Sequence, residues 1–298
     1  MRIVTRPDFD GIVCAVLLYE AENVTQMVKW VEPSEIQKRQ VHIGPKDILA
    51  NLPYLAPAGT WFDHHVSNRC DDPTVGGLFR IAPSAAGLIF EHYRNRFSRD
   101  FEELVIQADK IDSADLTIDE VRRPEEHPYL LLSMTVSGKE PEDEAYWNHL
   151  VDLLRRLDMA EVMADPLVIK RCRQVEAQNI AYRDLLMAHT QVAGHVAVSD
   201  FRKIETPPEG NRFLVYSLFP QTVVSVKIRC DERQPGRIGV SVGHSIFNRG
   251  CRVNVGLMLS AFEGGGHRGA GACRFHESKA DDYIPKILDT LQKNEPND

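Results

Sequence analysis

Arg2-Ile3-Val4-Thr5-Arg6-Pro7-Asp8-Phe9-Asp10-Gly11-Ile12-Val13 is the stretch that decides the fold. Arg2 to Thr5 reads as a short strand, Pro7 breaks it, and Gly11 opens a helix through Ile12, Val13, Val16, Leu17 and Leu18. Proline stops a strand because it has no N–H to donate, and strand, turn and helix in that order are the usual opening of an α/β sheet. Further strands are expected at 25–31, through Met27, Val28, Trp30 and Val31, and at 60–62, where Thr60-Trp61-Phe62 delivers Asp63 at its carboxyl end. Open α/β sheets bind ligands at the carboxyl ends of their strands. Asp8 and Asp10 are therefore expected on one rim with Asp63-His64-His65.

Downstream, 84–93 reads as a helix behind Pro83. A second helix, with Ser98 as its cap, carries Phe101, Leu104, Val105 and Ala108 and brings Asp109 and Asp112, and a third spans 142–164. A long amphipathic run from Leu167 to His189 follows Asp165-Pro166 and reads as an interdomain helix. After Gly194 the texture becomes short and β-rich: Val196-Ala197-Val198, Phe213-Leu214-Val215-Tyr216, 223–228 and 238–242, with a closing helix from 281 to 291. The expected fold class is α/β. A parallel-sheet domain at 1–164 is joined by a linker helix at 165–192 to a smaller mixed α/β domain at 193–298.

The 298 residues, 43% hydrophobic, can bury a core, and the length suits about two domains. A formal net charge of -8 and a pI of about 5.8 argue against clamping long duplex nucleic acid, which calls for a broad basic surface. A short anionic substrate stays open, because a local cluster of arginine and metal overcomes a negative total. No two of Cys14, Cys70, Cys172, Cys230, Cys251 and Cys273 form a Cys-x-x-Cys pair, so a zinc ribbon is not expected. Their scatter fits reduced thiols in a cytoplasm. The opening residues lack the marks of a signal peptide, and no segment has the roughly 18 consecutive apolar residues of a membrane span.

The chemistry lies in a few clusters. Asp8 and Asp10 sit in a turn, where both can face one cavity, although such a pair alone is more often solvated. Asp63-His64-His65 is stronger, because a carboxylate and two imidazoles directly after Trp61-Phe62 suit a metal ion; the competing reading is an exposed polar strand end. Carboxylates mixed with imidazole favour Mn2+ ahead of Mg2+, since imidazole shifts a hard oxygen site towards transition metals. Asp47, in Gly44-Pro45-Lys46-Asp47, is weaker and reads equally as a turn cap. Asp109 and Asp112 share a helix face. Gly264-Gly265-Gly266-His267-Arg268 reads as a glycine-rich loop whose backbone amides can approach an anion, with an arginine fork suited to phosphate.

In this order the motifs resemble the DHH phosphoesterase superfamily, over nearly the whole chain. The resemblance implies metal-dependent cleavage of phosphate esters or anhydrides, with the active site in the cleft between the two domains. It implies that Asp10, Asp47, His64 and Asp109 surround one Mn2+, and that Asp8 holds a second ion bridged by Asp47. One or two ions are thus expected, with Mg2+ as the substitute. Asp109 is preferred to Asp112 as the fourth-motif ligand, because it ends an apolar helical stretch. Asp63 and His65 would act beside the reacting phosphate. Gly265, Gly266, His267 and Arg268 would grip the substrate, Arg268 also stabilising transition-state charge, with Arg249 and Asn254 as weaker substrate-side candidates. Many members carry a metal-binding histidine where this chain has Val4, so the Asp8-side ion is the one in doubt, and Arg6 is an alternative phosphate contact. The implied partner is a short phosphate-containing substrate: polyphosphate, a short RNA or DNA oligonucleotide, or a nucleotide. A homodimer is compatible with this reading. The alternative is a catalytically weak or inactive nucleotide- or polyphosphate-binding protein of the same fold.

Overall fold

A computed structural model describes residues 1–69, 75–137, 142–231 and 234–298; Cys70 lies outside the described residues. In chain order the elements are β1 (Arg2–Thr5), α1 (Phe9–Ala21), β2 (Lys29–Trp30), α2 (Pro33–Gln37), β3 (Asp47–Ala50), β4 (Thr60–Asp63), β5 (Gly76–Phe79), α3 (Ala85–His92), α4 (Glu102–Asp112), α5 (Ile118–Arg122), α6 (Pro128–Met134), α7 (Asp143–Arg156) and α8 (Met159–Met163). Then come α9 (Pro166–His189), β6 (Thr190–Ala193), β7 (Val196–Asp200), α10 (Leu214–Leu218), β8 (Val224–Cys230), β9 (Arg237–His244), α11 (Val255–Ser260), β10 (Gly264–His267), β11 (Ala270–His276) and α12 (Ala280–Lys293). The chain divides into two compact units, 1–116 with 124–173 and 117–123 with 174–298, and α9 runs from the first into the second.

The first unit is built on a five-stranded sheet in the order β2-β1-β3-β4-β5, parallel at every pairing. Parallel strands are covered on both faces and so read as unbroken apolar runs; Ile3, Val4, Ile48, Leu49, Trp61 and Phe62 are all buried. Val4 packs in an apolar cluster with Val31, Ile36, Leu49 and Trp61. Every residue of α1 from Phe9 to Leu18 is buried, and this helix packs against α3, α4 and α7. A helix apolar on all sides belongs in a core, where each large aliphatic side chain contributes about 1.5–3 kcal/mol on burial. Gly11 is required at its start: a Cβ there would lie 1.9 Å from the carbonyl oxygen of Arg6.

Several expected elements differ, and the cap of α4 is Phe101 in place of Ser98. The strand foreseen at 25–31 is only Lys29–Trp30. The helix foreseen at 142–164 is two helices, because Leu157 is extended and Asp158 starts α8 with a capping box to Glu161. Phe213-Leu214-Val215-Tyr216 is not a strand but leads into α10, with Leu214, Val215 and Tyr216 buried. A short apolar run has no period by which strand and helix can be told apart.

The second unit holds a six-stranded sheet in the order β10-β11-β9-β8-β7-β6, antiparallel except between β7 and β8. Val224, Val226 and Ile228 of β8 alternate with more exposed residues, as do Ile238, Val240 and Val242 of β9. Their buried face meets Val255, Leu259, Ile284, Ile287 and Leu291 of α11 and α12. The glycine-rich segment, expected as a loop, is strand β10, paired with β11. Its Gly266 has φ +149°, and α11 lies so close that a Cβ on Gly256 would come within 2.3 Å of the Gly266 carbonyl oxygen. Among the described residues no helix is long and apolar enough to cross a membrane.

Candidate metal centre

The chain leaves β1 for β2 on one side and returns to β3 on the other, so the strand order reverses at β1. Crevices form at such switch points. The carboxyl ends of β1, β3 and β4 lead into Asp8 and Asp10, Asn51, and Asp63-His64-His65. Asp8 caps α1, its Oδ1 accepting from the Gly11 amide at 2.9 Å. Asp10, in the first turn of α1, is buried and accepts from the amides of Ala85 at 3.0 Å and Ala86 at 2.8 Å. These are the unpaired N–H groups that open α3, where helix geometry favours an anion.

His64 is held by one ring nitrogen and open at the other. Its Nδ1 lies 3.0 Å from the Ala82 carbonyl oxygen, which can only accept, so Nδ1 donates and, in the neutral ring, Nε2 carries the lone pair. Nε2 is buried and has no hydrogen-bond partner. It lies 3.8 Å from an Asp10 oxygen and 3.3 Å from an Asp112 oxygen. One ligand atom from each of Asp10, His64 and Asp112 falls within 4.8 Å of the others. Burial first, then the neighbouring Asp8, push Asp10 up to about 7, and burial first, then Asp10, push Asp112 to about 7. Two crowded carboxylates and an unused imidazole lone pair fit a divalent cation, which would relieve their repulsion and satisfy the nitrogen.

Asp63 does a different job. Fully buried, it accepts from the His64 amide at 2.8 Å, the His65 amide at 3.3 Å, His65 Nδ1 at 2.8 Å and Asn68 Nδ2 at 2.7 Å. Its carboxylate therefore shapes the turn that presents both histidines, whose rings lie 4.0 Å apart. The bond from His65 to Asp63 raises the His65 pKa above the ordinary imidazole value, outweighing the opposing effect of burial. His65 is thus biased towards its protonated form near the Asp8, Asp10 and Asp112 carboxylates.

The structure does not bring Asp47 to this cluster, which corrects its expected role as a bridging ligand. Asp47 begins β3 and pairs in register with Arg2, at the amino ends of the strands. Its carboxylate is engaged by Arg2 at 2.6 Å and the Gly44 amide at 2.8 Å. The residue at the carboxyl end of β3 is Asn51, which the sequence reading passed over. It is buried, has φ 55°, and donates from Nδ2 to Asp8 Oδ1 at 2.9 Å. The signal was present: the apolar run Ile48-Leu49-Ala50 puts Asp47 before the strand and Asn51 after it.

The preference for Asp109 is corrected in the same way. Ser84 Oγ donates to Asp109 at 2.5 Å, and Asp109 lies against Gly87, so it faces the start of α3. Asp112, a turn later, reaches His64.

In the second unit, Gly265, Gly266 and His267 lie along β10 opposite Ala272, Gly271 and Ala270, with His267 exposed. Arg268 forms an ion pair with Asp298 at 2.5 Å. Asn254 caps α11 through the Leu257 amide and donates to Asp298 at 3.2 Å. Arg249 is exposed and bonds weakly to the Ile246 carbonyl.

No family model matches the chain, and no curated protein matches it either. Among solved structures, a pGpG-specific phosphodiesterase, PggH from Vibrio cholerae, is 30% identical with a TM-score of 0.88, covering 99% of this chain and 99% of that one. RecJ from Thermus thermophilus in complex with Mn2+ is 15% identical with a TM-score of 0.57, covering 99% of this chain and 52% of its own. An exonuclease RecJ bound to manganese is 14% identical, TM-score 0.53, over 98% of this chain and 90% of that one. The two RecJ structures share the fold alone. Identity of 30% across the full length, on the same architecture, makes this chain a hydrolase of the DHH phosphoesterase superfamily.

Proposed function

We propose that this protein is a Mn2+-dependent phosphodiesterase acting on a short linear nucleotide, with a dinucleotide of the pGpG type as the first candidate. The observation that carries the reading is the buried, unpartnered Nε2 of His64 between the Asp10 and Asp112 carboxylates. Full-length similarity to a pGpG-specific phosphodiesterase supports the choice of substrate. Asp10, His64 and Asp112 would hold the ion, and their mixed oxygen and nitrogen donors favour Mn2+ over Mg2+. Such an ion supplies Lewis acidity towards a phosphoryl oxygen and acidifies water.

The chain's own groups do the rest. Asp63 fixes the His65 ring with Nδ1 as donor and favours the imidazolium. His65 can then donate through Nε2 to a phosphoryl oxygen, stabilising charge that grows in the transition state. The Ala85 and Ala86 amides keep Asp10 in place. No side-chain nucleophile is needed, and burial together with Asp10 pushes the nearby Cys14 thiol well up, out of its reactive range. His267 and Arg268 of the second unit are proposed substrate contacts. The free thiols Cys14, Cys172, Cys230, Cys251 and Cys273 support a cytoplasmic setting.

The test is hydrolysis by the Mn2+-loaded protein of pGpG, other linear dinucleotides, longer RNA and polyphosphate in parallel. Release of guanosine monophosphate from pGpG is expected, lost with EDTA and in His64→Ala. Stoichiometric Mn2+ with no turnover of any of these would overturn it in favour of a binding protein.

A further inference from the structure

Around Asp8 the rim is built differently from the Asp10–His64–Asp112 cradle. From that contrast we infer that the centre takes a single ion, with the Arg6 guanidinium standing beside Asp8 as the second positive charge that meets the substrate phosphate. This rests on the proposed phosphodiesterase reading and says how its electrostatics are arranged.

The two halves of the site differ in what faces their oxygens. In the cradle, a lone pair without a donor meets two crowded carboxylates, which asks for a cation. Around Asp8, the carboxylate already meets donors. Its Oδ1 accepts from the Gly11 amide and from Asn51 Nδ2, each at 2.9 Å, and Arg6 Nη1 lies 3.2 Å from its Oδ2. Asn51 is decisive. Its amide is neutral where Asp10 and Asp112 bring carboxylates, so the end of β3 adds no negative charge beside Asp8 to hold an ion there. Asn51 is 1% exposed, its left-handed φ of 55° is one that asparagine tolerates better than most residues, and its backbone N–H is tied to the Phe62 carbonyl oxygen at 3.0 Å.

Asp63, His64 and His65 also present ligand atoms within 4.8 Å of one another, but the Asp63 carboxylate is already engaged by donors. Asp63 Oδ1 accepts from His64 and His65, and Oδ2 from Asn68. Val4 points into the apolar cluster under the sheet. Arg6 meanwhile keeps an accessible side chain, 41% exposed, braced between Asp8 and Glu32, whose carboxylate lies 3.8 Å from Nε. A guanidinium cannot lose its proton at working pH and presents a planar fork that matches phosphate. Arg6 therefore supplies fixed positive charge on the Asp8 side, where Asn51 brings no negative charge to favour a second ion.

The experiment is an ion count on the intact protein loaded with Mn2+ and freed of excess, with electron paramagnetic resonance on the same sample. One ion per chain with the hyperfine pattern of an isolated Mn2+ is expected. Two ions per chain with an exchange-coupled spectrum overturns the inference while leaving the phosphodiesterase reading intact, whereas failure to retain any ion sinks that reading itself. Arg6→Ala, at an accessible position where folding is not at stake, should keep one ion and lose roughly tenfold or more in kcat/KM on pGpG, with partial recovery in Arg6→Lys. Unchanged kcat/KM in Arg6→Ala rules out the role given to the guanidinium.

Discussion

Replacing Asp112 by asparagine should stabilise the metal-free protein and at the same time weaken its hold on Mn2+. Burial, with Asp10 next, raises Asp112 from an ordinary 3.8 to about 7. The native state then keeps a proton that the unfolded chain releases, so native stability falls as pH rises from about 4 to about 7, and the penalty is complete above that. A rise of roughly three units corresponds to about 4 kcal/mol. Asp10 shares the same repulsion and Asp112 is 26% exposed, so one amide should recover about half of this, roughly 2 kcal/mol at pH 8. At pH 4 native Asp112 is protonated and the unfolded one only partly ionised, so little of the gain remains. Urea unfolding in EDTA at pH 4, 6 and 8 measures the stability, and the rise in Tm on adding Mn2+ at pH 8 measures the hold on the ion. Asp112→Asn should show higher metal-free stability at pH 8 and a much smaller rise with Mn2+, whereas Asp109→Asn should keep the wild-type rise. A less stable metal-free Asp112→Asn protein with an undiminished response to Mn2+ would refute the assignment.

Asp47→Ala should cost about 1–3 kcal/mol in denaturant unfolding, because the half-exposed Arg2 and the Gly44 amide lose their acceptor, yet leave the Mn2+ count unchanged; loss of the ion would restore Asp47 to the site. Asp63→Asn removes the main cause of the raised His65 pKa, so the imidazolium should disappear at lower pH than in the wild type. Titration of the His65 ring by NMR checks this, and an unmoved midpoint contradicts the positioning role. Arg268→Ala should raise KM and Asp298→Ala should lower it, since the Asp298 carboxylate occupies the guanidinium a substrate phosphate would use; steady-state kinetics showing no change in either variant would remove Arg268 from the substrate contacts.

Much of this architecture could be read from local pattern. The opening strand, turn and helix imply a parallel sheet, and the apolar runs before Asp8 and Asp63 place both at carboxyl strand ends. The structure brings Asp10 and His64 together from the carboxyl ends of β1 and β4, the two strands that flank β3. Where the reading of ligands went astray, the missing information was rotational. Asp109 and Asp112 share a helix face, and only the packing of α4 against Ser84 and Gly87 decides which carboxylate turns towards His64. Asp47 attracted the bridging role because it is an acid near the right place in sequence, while the strand end it was meant to occupy carries a neutral Asn51. The glycine-rich strand β10 was hidden because Gly264, Gly265 and Gly266 have no side chains to give a strand period; pairing with β11 holds it extended.

The all-round burial of α1 also bears on how the chain is made. The ribosome delivers this sticky segment early, yet α7, one of the helices that covers it, follows more than a hundred residues later. At roughly 5–20 residues per second, the nascent segment waits on the order of ten seconds for its lid. During that interval it is a natural client for chaperones, and codon choices that slow synthesis between Ala21 and Asp143 should lower the yield of active protein without altering a single amino acid.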